Sequence, residues 1–271
     1  KITCRGFNLE GGGAQALTVM RAITFARLSG ITYVHTAFSD INHSVMAKEE
    51  WAAAWERLFN LGAGEIPWDG NRTDSVSFTA NSRELEMCFG WSGHLERLQT
   101  GFWEDVPAFR RKFHANKPIR PASPFTVSVH IRRGDVAEDS NAHLFTNSDA
   151  ISRTLDLLLA ILARYGITHR VHLYSQGAPS DFVEFRKYGT VLFLDADAQW
   201  SLQSMVYSDI LVMAKGTFSY CAGLLSEGIK MSERESALPP MDDWIIRESN
   251  GDFDVELLRL ALERFTSERN V

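Results

Sequence analysis

Two spacings of apolar residues alternate along this chain. Lys1 to Phe7 suits a short strand. After the turn Glu10-Gly11-Gly12-Gly13, residues Leu17, Met20, Ile23, Thr24 and Leu28 recur at helical intervals until Gly30, and Ile31 to Phe38 reads as a second strand. Strand, glycine turn, helix and strand make a βαβ unit. A further amphipathic helix is expected from Lys48 to Leu61, with Trp51, Trp55, Leu58 and Phe59 as packing residues on one face. Residues 62–84 are rich in Gly, Asn, Asp, Ser and Thr and read as loops around a short strand, Val76 to Phe78. Trp91, Phe102 and Trp103 continue that layer. A basic run, Arg110, Arg111, Lys112, Lys117 and Arg120, ends in Pro118, Pro121 and Pro124, and reads as an exposed helix end followed by a linker.

Beyond the linker the strand-helix alternation resumes. Strands are expected at Phe125 to Ile131, Val171 to Ser175, Val191 to Leu194 and Ile210 to Met213. The helices between and after them are Ser148 to Tyr165, Ser180 to Tyr188, Trp200 to Tyr207 and Thr217 to Ser226. A last helix, Val255 to Phe265, carries Leu257, Leu258, Leu260, Ala261, Leu262 and Phe265. The pattern therefore predicts an α/β chain of two Rossmann-like domains, residues 1–120 and 121–250, with residues 251–271 as a terminal helix.

Chemistry concentrates where the apolar strands stop. Phe125 to Ile131 breaks into Arg132, Arg133, Gly134 and Asp135, and carboxyl ends of parallel strands are where open α/β sheets bind ligands. Guanidinium groups suit phosphate because their planar fork of donors matches its oxygens and keeps its charge. The other strand ends supply Ser175 and Gln176, then Asp195, then Thr217-Phe218-Ser219 entering a helix. In a parallel sheet these converge on one crevice, where hydroxyls and helix N–H groups act with the arginines on one anion. Helix capping is the competing reading for Thr217 and Ser219.

His130-Ile131-Arg132-Arg133-Gly134-Asp135 at a strand end resembles the nucleotide-sugar motif of the superfamily of α-1,2-, α-1,6- and protein O-fucosyltransferases. The TFS triplet resembles that superfamily's late motif, and Gly12, Gly13 and Gln15 resemble its first glycine-rich turn, with Ala14 where an Asn is common. The resemblance implies a GT-B fold, its two parallel sheets facing across a cleft, and a terminal helix that crosses back to the first domain. It implies GDP-fucose as donor, with inversion and without a metal or other cofactor. Arg132 would contact the pyrophosphate. Arg133 would either join it or anchor the loop through Asp135. The donor site would comprise Gly12, Gly13, Gln15, His130, Arg132, Arg133, Ser175, Gln176, Asp195, Thr217, Phe218 and Ser219, with Arg132 and Asp135 as catalytic residues. Asp135, Glu138, Asp40 and Glu10 are candidate bases by chemistry alone. Ser201 stands where relatives often carry an Asp, so the base of the nucleotide would fall to Asp195 or Asp197. The partners implied are a nucleotide sugar and a glycan acceptor.

Composition narrows the alternatives. With a net charge of −6 the chain has no general attraction for nucleic acid or anionic membrane, so an anion site must be a local positive pocket. Cys4, Cys88 and Cys221 lack zinc-ligand spacing and read as buried thiols of a reduced compartment. No apolar run reaches the roughly 20 residues of a membrane span. The absence of an export signal before the first strand points to the cytoplasm, though a removed leader or anchor would leave the same sequence. GGGAQ departs from the GxGxxG spacing of a dinucleotide site, which weakens an oxidoreductase reading. The sequons at Asn42 and Asn71 fit chance occurrence. Two further readings stay open: a GT-B transferase for another nucleotide sugar, and a nucleotide- or glycan-binding module without catalysis.

Overall fold

The structure, a computed structural model, describes residues 1–4, 11–70, 76–78, 95–117, 124–137, 139–236 and 238–269. It divides into two compact units, Lys1–Pro118 and Ile119–Val271. Phe7, Glu10, Asn71, Cys88, Trp91, Pro118, Arg120, Pro121 and Glu138 lie outside the described residues.

The described residues of the first unit include four short parallel strands. β1 (Ile2–Cys4) pairs with β4 (Val76–Phe78), and β2 (Val34–His35) pairs with β3 (Ile66–Pro67). A parallel bridge between Ile2 and Tyr33 joins the pairs in the order β4-β1-β2-β3. Among the described residues three helices accompany them: α1 (Gly12–Leu28), α2 (Lys48–Phe59) and α3 (Leu95–His114). The aromatic face of α2 is core, as its spacing predicted. Trp51 meets Trp55 edge-on at 5.7 Å, and Trp55 stacks on Phe59 at 5.6 Å. The 20 residues of α3 replace the expected mixture of loop and helix end. Its buried Phe102, Val106, Phe109 and Phe113 repeat at intervals of three and four, a stripe that packs the helix despite Pro107 within it. Cys4 and Cys221 are buried, and burial pushes the Cys4 thiol up to about 12, where it is unreactive at neutral pH.

The second unit is built on one fully parallel sheet of β5 (Phe125–His130), β6 (His169–Ser175), β7 (Val191–Leu194), β8 (Ile210–Val212), β9 (Ile229–Glu233) and β10 (Ile245–Arg247), in the order β10-β9-β8-β5-β6-β7. Its helices are α4 (Ser148–Arg164), α5 (Ala198–Val206), α6 (Thr217–Leu225) and α7 (Val255–Arg269), with 3-10 turns at Ala142–Leu144 and Pro179–Tyr188. α4 starts cleanly because the Asn147 side chain accepts the Asp149 N–H at 2.8 Å. Its Ile151, Leu155, Leu158 and Leu162 form one stripe against Val127, Val129, Val171 and Leu173 of the central strands. Each such fully buried side chain contributes about 1.5–3 kcal/mol. α7 completes this core with Leu258 and Leu262, while Phe265 meets Phe125 edge-on at 6.1 Å. Leu257 and Leu260 of the same helix stay exposed on the second unit. No described helix is long and apolar enough to cross a membrane.

Candidate functional site

In the second unit the chain runs from β5 outward through β6 to β7, then returns to β5's other side with β8 and continues to β9 and β10. The strand order therefore reverses between β5 and β8. In open α/β sheets the loops on either side of such a reversal diverge and leave a crevice at the carboxyl edge, and the β5 and β8 exits are that point of this sheet.

The β5 exit begins in register, Ile131 N–H donating to the Tyr174 carbonyl at 3.0 Å, and then turns sharply at Gly134 with φ +85°. Arg132 projects from this loop with its side chain 30% exposed. Its Nε and Nη2 donate to the two carboxylate oxygens of Asp135 at 3.2 and 2.7 Å. Its Nη1 lies on the β8 side of the crevice, so close to Gly216 that a Cβ there would stand 2.7 Å from it. Gly216 has φ +148°, a conformation that side chains resist, and it caps α6 without any side-chain hydrogen bond. First-turn N–H groups of α6 therefore lack an N-cap acceptor beside a guanidinium.

Arg133 points elsewhere. Its Nη1 and Nη2 donate to the carbonyls of Arg132 (2.9 Å) and Thr146 (3.1 Å), and its guanidinium lies 4.3 Å from the centre of the Phe145 ring. It clamps the loop through backbone carbonyls, while Asp135 serves Arg132. His130 ends β5 with its ring 5.5 Å from Phe218, the second residue of α6. Burial and then the Arg132 charge hold its pKa down at about 4, so the imidazole is neutral near pH 7.

Several predicted ligand groups make hydrogen bonds within the chain. Ser219 is buried; its Oγ accepts the Ala214 N–H at 3.2 Å and faces the Ala214 carbonyl at 3.3 Å, so it ties α6 to the end of β8. Ser175 Oγ donates to the Ile131 carbonyl at 2.7 Å, joining the β5 and β6 exits. Asp195, at φ +49°, accepts the Gly177 N–H at 3.3 Å, and Asp197 caps α5 through the Trp200 N–H at 2.7 Å. Ser201 is buried in α5. Thr217 and Phe218 open α6, half-buried. Gln176 lies across Gly134, and with Arg133, Phe145 and Asp181 it lines an open pocket of about 400 Å³ between the β5 and β6 exits.

In the first unit, Gly12 is required by packing: a Cβ there would fall 2.5 Å from the Trp55 ring. Gln15 is buried and its amide donates to the Asp40 carbonyl at 2.7 Å. Gly13 is buried in the first turn of α1. Asp40 also meets Lys48 at 3.7 Å.

A buried charge network under the β8–β10 ends escaped the sequence reading. Lys215 meets Glu233 at 2.9 Å and Glu235 at 3.2 Å, while Glu233 also accepts from the Thr146 hydroxyl at 3.0 Å. Arg247, fully buried, lies 3.7 Å from Glu233 and donates to the Met213 carbonyl at 3.0 Å. Burial lowers the Arg247 pKa to about 10 against the opposing pull of Glu233, and the group stays charged at neutral pH. Lys215 was the legible member, since it directly precedes Gly216-Thr217-Phe218-Ser219. Among the described residues no cluster of His, Cys, Asp or Glu could hold a metal ion.

No protein-family model and no curated protein matches the chain. Solved structures similar to it include E. coli heptosyltransferase WaaC with ADP-2-deoxy-2-fluoro heptose, at 12% identity over 99% of this chain and 100% of that one, with a TM-score of 0.44. NodZ α-1,6-fucosyltransferase co-crystallized with GDP is 12% identical over 86% of this chain and 95% of that one, with a TM-score of 0.39. A UDP-forming trehalose-phosphate synthase from Burkholderia xenovorans aligns at 10% identity over 61% of this chain and 42% of that one, with a TM-score of 0.37.

Proposed function

We propose that the protein is a glycosyltransferase whose second unit holds the diphosphate of a nucleotide sugar in the β5–β8 crevice, with GDP-fucose as the first donor to test. One observation carries this reading: the Arg132 guanidinium lies against Gly216, at the helix start that no side chain caps. Two sources of positive potential thus address the same point, a fixed charge and the N-terminal peptide dipoles. As the bond between the sugar's anomeric carbon and the diphosphate oxygen breaks, its electron pair leaves with the diphosphate. The acceptor oxygen forms the new bond on the opposite face and gives up its proton to water or to an oxygen of the departing diphosphate. Charge grows on the leaving oxygen, so Arg132 and the helix start stabilise the transition state more than the ground state, which lowers the barrier. Arginine here fills the part that a metal plays in other transferases. His130, neutral beside Arg132, contributes a hydrogen-bonding group without adding charge. Guanine and fucose rest on the motif resemblance alone.

A second reading, a nucleotide-binding module without turnover, is favoured by the carboxylates: both Asp135 oxygens are engaged by Arg132 and Asp40 faces Lys48. The test is incubation with GDP-fucose, UDP-sugars and ADP-sugars in EDTA, with and without oligosaccharide acceptors, while free nucleoside diphosphate is measured. Acceptor-stimulated GDP release is the expected result. GDP binding without release selects the binding module, and indifference to every nucleotide overturns both.

A further inference from the structure

We infer that Glu233, a buried carboxylate at the end of β9, is the positioning residue that sets the anion-facing pose of Arg132, an assignment that rests on the diphosphate reading above. Two chains of contacts run from its carboxylate to Arg132 from opposite sides. On one side the Thr146 hydroxyl donates to Glu233 Oε2 at 3.0 Å, the Thr146 carbonyl accepts from Arg133 at 3.1 Å, and Arg133 in turn holds the Arg132 carbonyl at 2.9 Å. On the other side Glu233 Oε1 meets Lys215 Nζ at 2.9 Å, and Lys215 is bonded through the peptide to Gly216, the wall against which the Arg132 guanidinium rests. One buried carboxylate therefore fixes both the backbone that carries Arg132 and the surface that confines its fork.

The charge count gives the arrangement a second effect. Lys215 and Arg247 are two buried cations, and Glu233 is the buried anion between them. Glu235 also reaches Lys215, but its side chain is 59% exposed and its charge is screened by water. With Glu235 counted the four charges sum to zero, so the field beneath the α6 start is positive only to the extent that water screens Glu235. A buried ion network of this kind is weak evidence of added stability, since desolvation offsets its Coulomb gain. Its consequence is geometric, at Arg132.

Thr146→Val and Thr146→Ser separate positioning from folding, since Val keeps the shape and the backbone carbonyl but loses the hydroxyl, while Ser keeps the hydroxyl. Calorimetric titration of the full chain with GDP is expected to show about tenfold weaker binding for Thr146→Val, the effect of losing one hydrogen bond to a charged group, and near-normal binding for Thr146→Ser. Glu233→Gln is expected to weaken GDP at least as much where circular dichroism shows it folded. Folded Thr146→Val with unchanged GDP affinity overturns the assignment. If the unsubstituted protein binds no nucleoside diphosphate, the functional reading fails, and arginine side-chain NMR then decides the positioning alone. The Arg132 Nε–H signal must shift in Thr146→Val and not in Thr146→Ser, and an unmoved signal overturns the inference.

Discussion

At the end of β5, the His130 imidazole has an Nδ1 sealed from solvent without a hydrogen-bond partner, beside the charge of Arg132. Both features disfavour the imidazolium, and they hold the group near pKa 4 instead of the ordinary 6.5. The unfolded chain takes up this proton first. The stability that neutral His130 contributes is therefore complete above pH 6.5 and is lost as the pH falls through 4. NMR titration should place the His130 transition near pH 4 and move it upward in Arg132→Gln, because one of its two causes has been removed. A His130 that titrates near 6.5 would contradict this geometry. At the same scale, the sequence located Arg132 from the break between an apolar strand and a charged turn. It could not divide labour between Arg132 and Arg133, since only the folded loop shows one fork turned to Asp135 and Gly216 and the other to two backbone carbonyls.

Among the elements, β5, β6, β7 and β8 were legible because strands of a helix-covered parallel sheet carry near-continuous apolar runs. β9 and β10 were not, because Lys230, Glu233 and Arg247 interrupt their sequences and yet are buried. Their charges are satisfied by partners far along the chain, such as Asp243 for Lys230 at 3.1 Å, and spacing alone cannot reveal such pairs. α3 was obscured by Pro107 and by its basic end, although its buried aromatic stripe has helical spacing. α7 yields an element-scale expectation. Leu258 is fully buried against α4 and the sheet, so Leu258→Ala should lower unfolding free energy by about 2–5 kcal/mol, measured by denaturant titration. A loss below about 1 kcal/mol would mean that α7 is not part of this core.

For the whole molecule, a net charge of −6 means that no diffuse attraction draws an anion in. Any nucleotide affinity must therefore come from a local positive site, and the proposed one is where Arg132 meets the α6 start. Alternating elements made two α/β units readable from sequence, and both contain parallel strands. The first-unit glycines looked like ligand contacts because packing against an aromatic and close approach to a ligand both demand a missing Cβ. At Gly12 the packing demand is visible, since a Cβ would fall 2.5 Å from the Trp55 ring. The second-unit crevice therefore holds the central claim, and calorimetric titration of GDP into the full chain and into Arg132→Ala, both in EDTA, tests it most directly. The account predicts metal-independent binding that weakens by at least about 1.5 kcal/mol in the variant, the loss of a charged hydrogen-bond donor. GDP binding indifferent to Arg132, or binding of NAD in its place, would contradict it.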